Sequence, residues 1–218
     1  MIRILGRRNS ANVQKVMWAI GELGVDYVRD DVAGSFGFPD DYPNPNRVVP
    51  TVLDGDVVVY ESNACVRYVC RSYGAGSLWP QEPALLARAD QWMDWQRGEI
   101  HTFFNLFMLL IRTPEAERKP SAVDGLTSRT GAAYEALDAH LANSRFIAGD
   151  ELTMADMPYG PMTYRYLKLD VPRPNLPNVE RWFAEVSSRP AFQHHVAIDF
   201  GRNLTEWQAA EAANAGIQ

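Results

Sequence analysis

The chain has 218 residues, a formal net charge of −6, 46% hydrophobic and 22% charged residues. That is the profile of an ordinary globular protein of one large or two modest domains. The acidic balance counts against a nucleic-acid partner, which needs a basic face to neutralise phosphates, and no apolar run approaches the roughly 20 residues of a membrane-spanning helix. Ile2 to Leu5 reads as a strand with no charged-then-apolar leader ahead of it. Cys65 and Cys70 fall on different faces of a helix-like segment, so they read as small buried side chains rather than as a disulfide or metal pair. The expectation is a cytoplasmic protein with no membrane or nucleic-acid partner. The four histidines are scattered and no metal site is expected.

After the first strand, Val13, Val16, Met17, Ile20 and Leu23 recur at helical spacing up to Gly24. Tyr27 to Val32 reads as a second strand, which makes a strand–helix–strand crossover. Ala33 to Arg47 is broken by Gly, Pro and Asn. Val48 to Leu53 is a strand interrupted by Pro50, Asp54-Gly55 is a hairpin turn, and Val57 to Tyr60 is the returning strand. Ser62 is placed to cap a helix running to about Ser72. Tyr73 to Ala84, with two Gly and two Pro, reads as a linker. Beyond it the pattern is helical: Leu85 to Arg112, Leu126 to Leu141, Met154 to Leu167, Val179 to Val186 and a short Ala191 to Val196. Disorder is expected only at the alanine-rich end, Ala209 to Gln218. The fold class is therefore α+β (βαβ-ββα), followed by an all-α helical bundle.

This order resembles the soluble glutathione transferases. The resemblance is carried by Asn9-Ser10-Ala11-Asn12, Val49-Pro50-Thr51-Val52, Glu61-Ser62 and Leu152-Thr153-Met154-Ala155-Asp156, and it extends to about Phe200. It points to the serine-type, theta-like bacterial kind. It implies a thioredoxin-like glutathione-binding domain over 1–75, an all-helical substrate domain over 84–202 and a C-terminal tail over 203–218. Glutathione is then the co-substrate, an apolar electrophilic small molecule or a peroxide the second substrate, and the assembly a homodimer.

In the resembling proteins the bond before Pro50 is cis, and Val49 offers its N–H and C=O to the tripeptide like an added strand. Ser62 and the helix start behind it suit the γ-glutamyl carboxylate, and Glu61 suits its ammonium group. Arg47 is a candidate for the glycyl carboxylate, with a solvated surface role open beside it. Thr153 and Asp156 form a reciprocal cap, with Leu152 and Met157 as its staple.

Transfer needs a thiolate. Lowering an ordinary thiol by about two pH units from about 8.5 takes about 2.7 kcal/mol, and one hydrogen bond to a charged group gives about 1.5–3 kcal/mol. One donor near a helix start is enough. The loop from Gly6 to Asn12 has no Tyr or Cys, so Ser10 is the candidate donor, with Asn12 as rival or helper and simple helix capping as the plain alternative. Phe103, Phe104, Phe107 and Tyr164, with Met108 and Trp207, are candidates for the electrophile pocket, and Phe36 and Phe38 for a lip over it. Arg7 and Arg8 either add positive potential or face water. Gln14 and Lys15 read as ordinary helix surface, and Asp94 and Arg97 as surface charges or a cross-subunit contact. Glutathione-dependent disulfide reduction or isomerisation uses the same thiolate, and a non-catalytic binding protein on this fold stays open.

Overall fold

The computed structural model describes all 218 residues. Four short strands form one mixed sheet in the order β2-β1-β3-β4: β1 (Ile2–Leu5), β2 (Tyr27–Asp30), β3 (Thr51–Asp54) and β4 (Val57–Tyr60). β1 pairs parallel with β2 and antiparallel with β3, with Leu5 opposite Thr51, and β3 pairs antiparallel with β4. The parallel pair follows from the crossover helix α1 (Ala11–Leu23), whose Val13, Val16, Met17 and Ile20 are all buried. The β3–β4 hairpin turns at Gly55, where φ is +59°, a conformation a residue without Cβ adopts freely. Pro50 lies just ahead of β3 instead of inside a strand, so no ladder bond is lost.

Helix α2 (Ser62–Tyr73) follows β4 directly. Ser62 is its first helical residue, and Glu61 occupies the capping position without a side-chain cap bond, so the capping role expected for Ser62 is not what forms. The expected 85–112 helix is one rod with two interruptions: α3 (Pro83–Trp95), a π-turn over Gln96–Ile100, α4 (His101–Phe107) and a second π-turn over Met108–Arg112. Then come α5 (Pro120–Leu141), α6 (Gly160–Lys168), α7 (Pro177–Ser187) and α8 (Pro190–His195). Met154–Tyr159, expected as the start of α6, forms turns instead. Of the reciprocal cap, the half from Thr153 N–H to Asp156 Oδ2 is present at 2.9 Å, whereas Thr153 Oγ1 accepts from Ala155 N–H.

The chain end is not a loose tail. α9 (Leu204–Ala213) is capped by Asn203, which accepts from Glu206 N–H, and it buries Trp207 and Glu211. Residues after it tie back to the sheet: Gly216 N–H donates to Asp31 Oδ2 at 2.8 Å and Gln218 bonds the Arg29 backbone.

A single core of 45 buried residues runs through both halves, from Ile2 to Trp207. α1 and α6 approach closely because Gly160 has no side chain: a Cβ there would sit 2.4 Å from the Trp18 ring. No helix is long and apolar enough to cross a membrane.

Candidate active site

The loop after β1 brings Ser10 to the capping position of α1, where its carbonyl accepts from Gln14 N–H at 2.9 Å. Its hydroxyl makes no capping bond, so capping alone does not account for it. That hydroxyl has no side-chain partner in the chain, and Ser10 lines a cavity of about 310 Å³. The start of α1 adds positive potential there. Asn12 also lines this cavity, and its Oδ1 accepts from the Ser62 hydroxyl at 3.3 Å. Asn12 thereby joins the first cavity to a second cleft of about 510 Å³ lined by Lys15, Val49, Pro50, Glu61 and Ser62.

Several features leave this cleft with polar groups free to bind a ligand. The Val49–Pro50 bond is cis. Neither the N–H nor the C=O of Val49 has a partner within the chain. The first backbone bond of α2 is Cys65 N–H to Glu61 C=O at 2.9 Å, so the amides of Ser62, Asn63 and Ala64 are unpaired at the helix start. Glu61 holds φ at +68°, a left-handed conformation uncommon for this residue type and concentrated at functional sites. Its carboxylate pairs with Arg97 of the same chain at 2.6 Å, while Asp94 pairs with Arg67 at 2.7 Å.

Two residues expected on the helix surface are buried. Lys15 is 4% exposed, with Nζ 3.2 Å from Ser62 Oγ and 3.4 Å from Asn63 Oδ1. Burial pushes its ammonium down to about 7, with Arg97 lowering it further and Glu61 opposing. Gln14 accepts from the buried Arg165 at 2.7 Å. Both were missed because α1 is covered on more sides than its apolar stripe indicates: α2, α6 and α8 all pack on it.

The first cavity lies where α1, α4 and α9 meet. Phe103, Phe104, Phe107, Met108 and Trp207 form its apolar wall, and Phe38 and Arg47 line it too. Arg47 lies over the Phe38 ring and donates to Phe38 C=O at 3.1 Å. Tyr164 does not belong to the wall. It packs edge-on against Phe192 and Phe200 and accepts from Lys168 at 2.7 Å. Phe36 is exposed and outside the lining. Arg112 and Arg165, which no sequence motif marks, line the cavity together with Arg7. The available signal for Arg165 was a lone arginine among apolar residues, four positions after Pro161.

Comparison with known proteins gives matches over both halves of the chain. The family model for the glutathione S-transferase N-terminal domain matches residues 9–72, and that for the C-terminal domain matches residues 100–190. Glutathione S-transferase GstB of Escherichia coli strain K12 is 35% identical over 205 residues, spanning 91% of this chain and 99% of that protein. Glutathione S-transferase 3 of Zea mays is 30% identical over 209 residues, 90% and 93% of the two chains. The crystal structure of the theta class glutathione S-transferase from Xanthomonas axonopodis pv. citri with glutathione bound gives a TM-score of 0.88 at 40% identity, covering 92% of this chain and 99% of that one.

Proposed function

The chain belongs to the glutathione S-transferase family, and on that premise we propose that Ser10 is the hydrogen-bond donor that holds the glutathione sulfur as a thiolate. The protein is a transferase with glutathione as co-substrate. The observation that carries the assignment is the Ser10 hydroxyl, which caps nothing and lines the cavity beside the unpaired backbone of Val49. In this reading glutathione lies along Val49 as an added strand. Its γ-glutamyl carboxylate meets Ser62, Lys15 and the free amides of α2. Glu61 faces the ammonium group, and Arg47 the glycyl carboxylate. The sulfur then sits at the start of α1, where Ser10 donates to it and the helix adds a smaller term.

The thiolate attacks the electrophilic carbon of a small molecule held against Phe103, Phe104, Phe107 and Trp207. Asn12 is the second candidate donor, because only its Oδ1 is engaged, by Ser62. Homodimer assembly is part of the reading, supported by the exposed Val57, Val58 and Tyr60 of the edge strand β4. A cytoplasmic setting is supported by two buried cysteines that form no disulfide. The test is turnover of 1-chloro-2,4-dinitrobenzene. Ser10→Ala is expected to lower kcat/KM about tenfold to a hundredfold, the worth of one hydrogen bond to a charge, while Asn12→Ala costs much less. The reverse ranking assigns the donor to Asn12.

A further inference from the structure

The electrophile cavity has an apolar wall and a strongly one-sided charge. Arg7, Arg47, Arg112 and Arg165 line it, and no Asp or Glu does. One carboxylate reaches the four: Glu211, paired with Arg7 at 2.7 Å and also accepting from Ser35 N–H at 2.8 Å. Arg165 is 2% exposed and donates only to neutral acceptors, the Gln14 side chain and the carbonyls of Pro161 and Asn9. Arg112 lies 5.5 Å from the Trp207 ring centroid, with Met108 Sδ at 3.7 Å as its only side-chain partner. The groups feel one another. Burial lowers Arg7, with Glu211 opposing and Arg112 adding to the fall; burial takes Arg165 down to about 9, with Tyr164 opposing and Arg7 adding to the fall. Arg165 is buried with neutral acceptors alone, and the half-buried Arg112 has no carboxylate partner, so the pocket keeps positive charge to spare for an anion.

We propose that the second substrate is an electrophile with a compact anionic group, such as a carboxylate, on an aromatic or otherwise apolar body, and that Arg112, with Arg7 beside it, is the specificity-determining contact for that anion. The proposal rests on the transferase reading. An acidic electrophile must approach a thiolate that is itself negative, and the arginines offset that repulsion. With a chloronitroarene carboxylate the step balances simply: the sulfur forms the C–S bond, the C–Cl bond breaks, chloride leaves with the electron pair, and the thiol proton has already gone to solvent.

The probes are 4-chloro-3-nitrobenzoate and its neutral amide, each rate divided by the uncatalysed rate with glutathione. The expected result is a preference for the acid of about tenfold or more. That preference shrinks with added salt, and it falls severalfold in Arg112→Leu and in Arg7→Leu. Direct binding of the two preformed glutathione conjugates, by calorimetry, reads the same preference without turnover. If Ser10 or the thiolate reading fails, the acid conjugate still binds more tightly than the amide conjugate. Equal or inverted preference in both measurements, or a preference untouched by both arginine substitutions, overturns the proposal.

Discussion

Lys15 places a cation where the sequence pattern indicates solvent. Lysine is almost never fully buried unless paired, so a lysine two positions after Val13 reads as surface. Only the non-local approach of α2 encloses it against Ser62 and Asn63. The groups that face it are Arg97, which lowers its pKa, Glu61, which raises it, and His101, itself lowered chiefly by burial and then by Lys15. The ammonium is held near 7, below its ordinary value, so above about pH 7 the unfolded chain holds a proton that the folded chain lacks. Stability from this group therefore rises as pH climbs from about 7 toward the ordinary lysine range. On the proposed placement of glutathione, ligand binding runs the other way, because a carboxylate at Ser62 needs the protonated form. Affinity for S-methylglutathione, which has no thiol to titrate, is expected to fall by up to about tenfold between roughly pH 6 and 8. Lys15→Met should bind more weakly at the acid end and show a flat profile by calorimetry. A wild-type profile that is already flat removes Lys15 from the carboxylate site. Ser10, Val49 and Ser62, in contrast, were legible as residues because each belongs to a short local motif at an element boundary.

At the scale of elements, the order of strands and helices was legible, and the irregularities were not. A helical period over 85–112 gives one continuous rod, whereas the structure inserts π-turns at 96–100 and 108–112. Those turns carry Gln96, Arg97 and Arg112, which line the two clefts, in keeping with the association of π-turns with functional sites. The cap at 153–156 was visible as a local signature, but its reach was not. Fully buried Asp156 accepts from Thr153 N–H, from Ile147 N–H at 3.0 Å and from Trp182 Nε1 at 2.9 Å, which joins three segments of the helical half. Burial pushes its carboxyl up to about 6 against the pull of these donors. Asp156→Ala orphans three buried donors at about 1–3 kcal/mol each. The expected loss is about 3 kcal/mol or more in denaturant unfolding, with the fold failing to assemble as the extreme. A loss under about 1 kcal/mol would mean the carboxylate acts as a simple local cap.

Across the whole molecule, the catalytic cleft belongs to neither half alone. The first half supplies the groups proposed to hold glutathione, α4 supplies the aromatic wall of the first cavity, and α9 closes that cavity with Trp207 while Glu211 neutralises Arg7. The alanines of α9 give no apolar stripe, so its sequence pattern is that of a tail. The Asn203–Glu206 capping pair and the Trp207–Glu211 spacing were the signals present. Truncation after Asn203 should raise the electrophile KM severalfold by opening the cavity, and glutathione affinity should change little, since no residue of α9 lines that cleft. Equal losses for both substrates would instead mean that α9 supports the sheet as a whole. In the proposed reading the halves converge on the sulfur of glutathione, and the most direct measurement is its ionisation. The thiolate absorbance of bound glutathione, titrated against pH, is expected to show a pKa well below the about 8.5 of a free thiol. Ser10→Ala should return it about one to two units toward that value while glutathione stays bound. A shift that survives the substitution unchanged contradicts the assignment of Ser10.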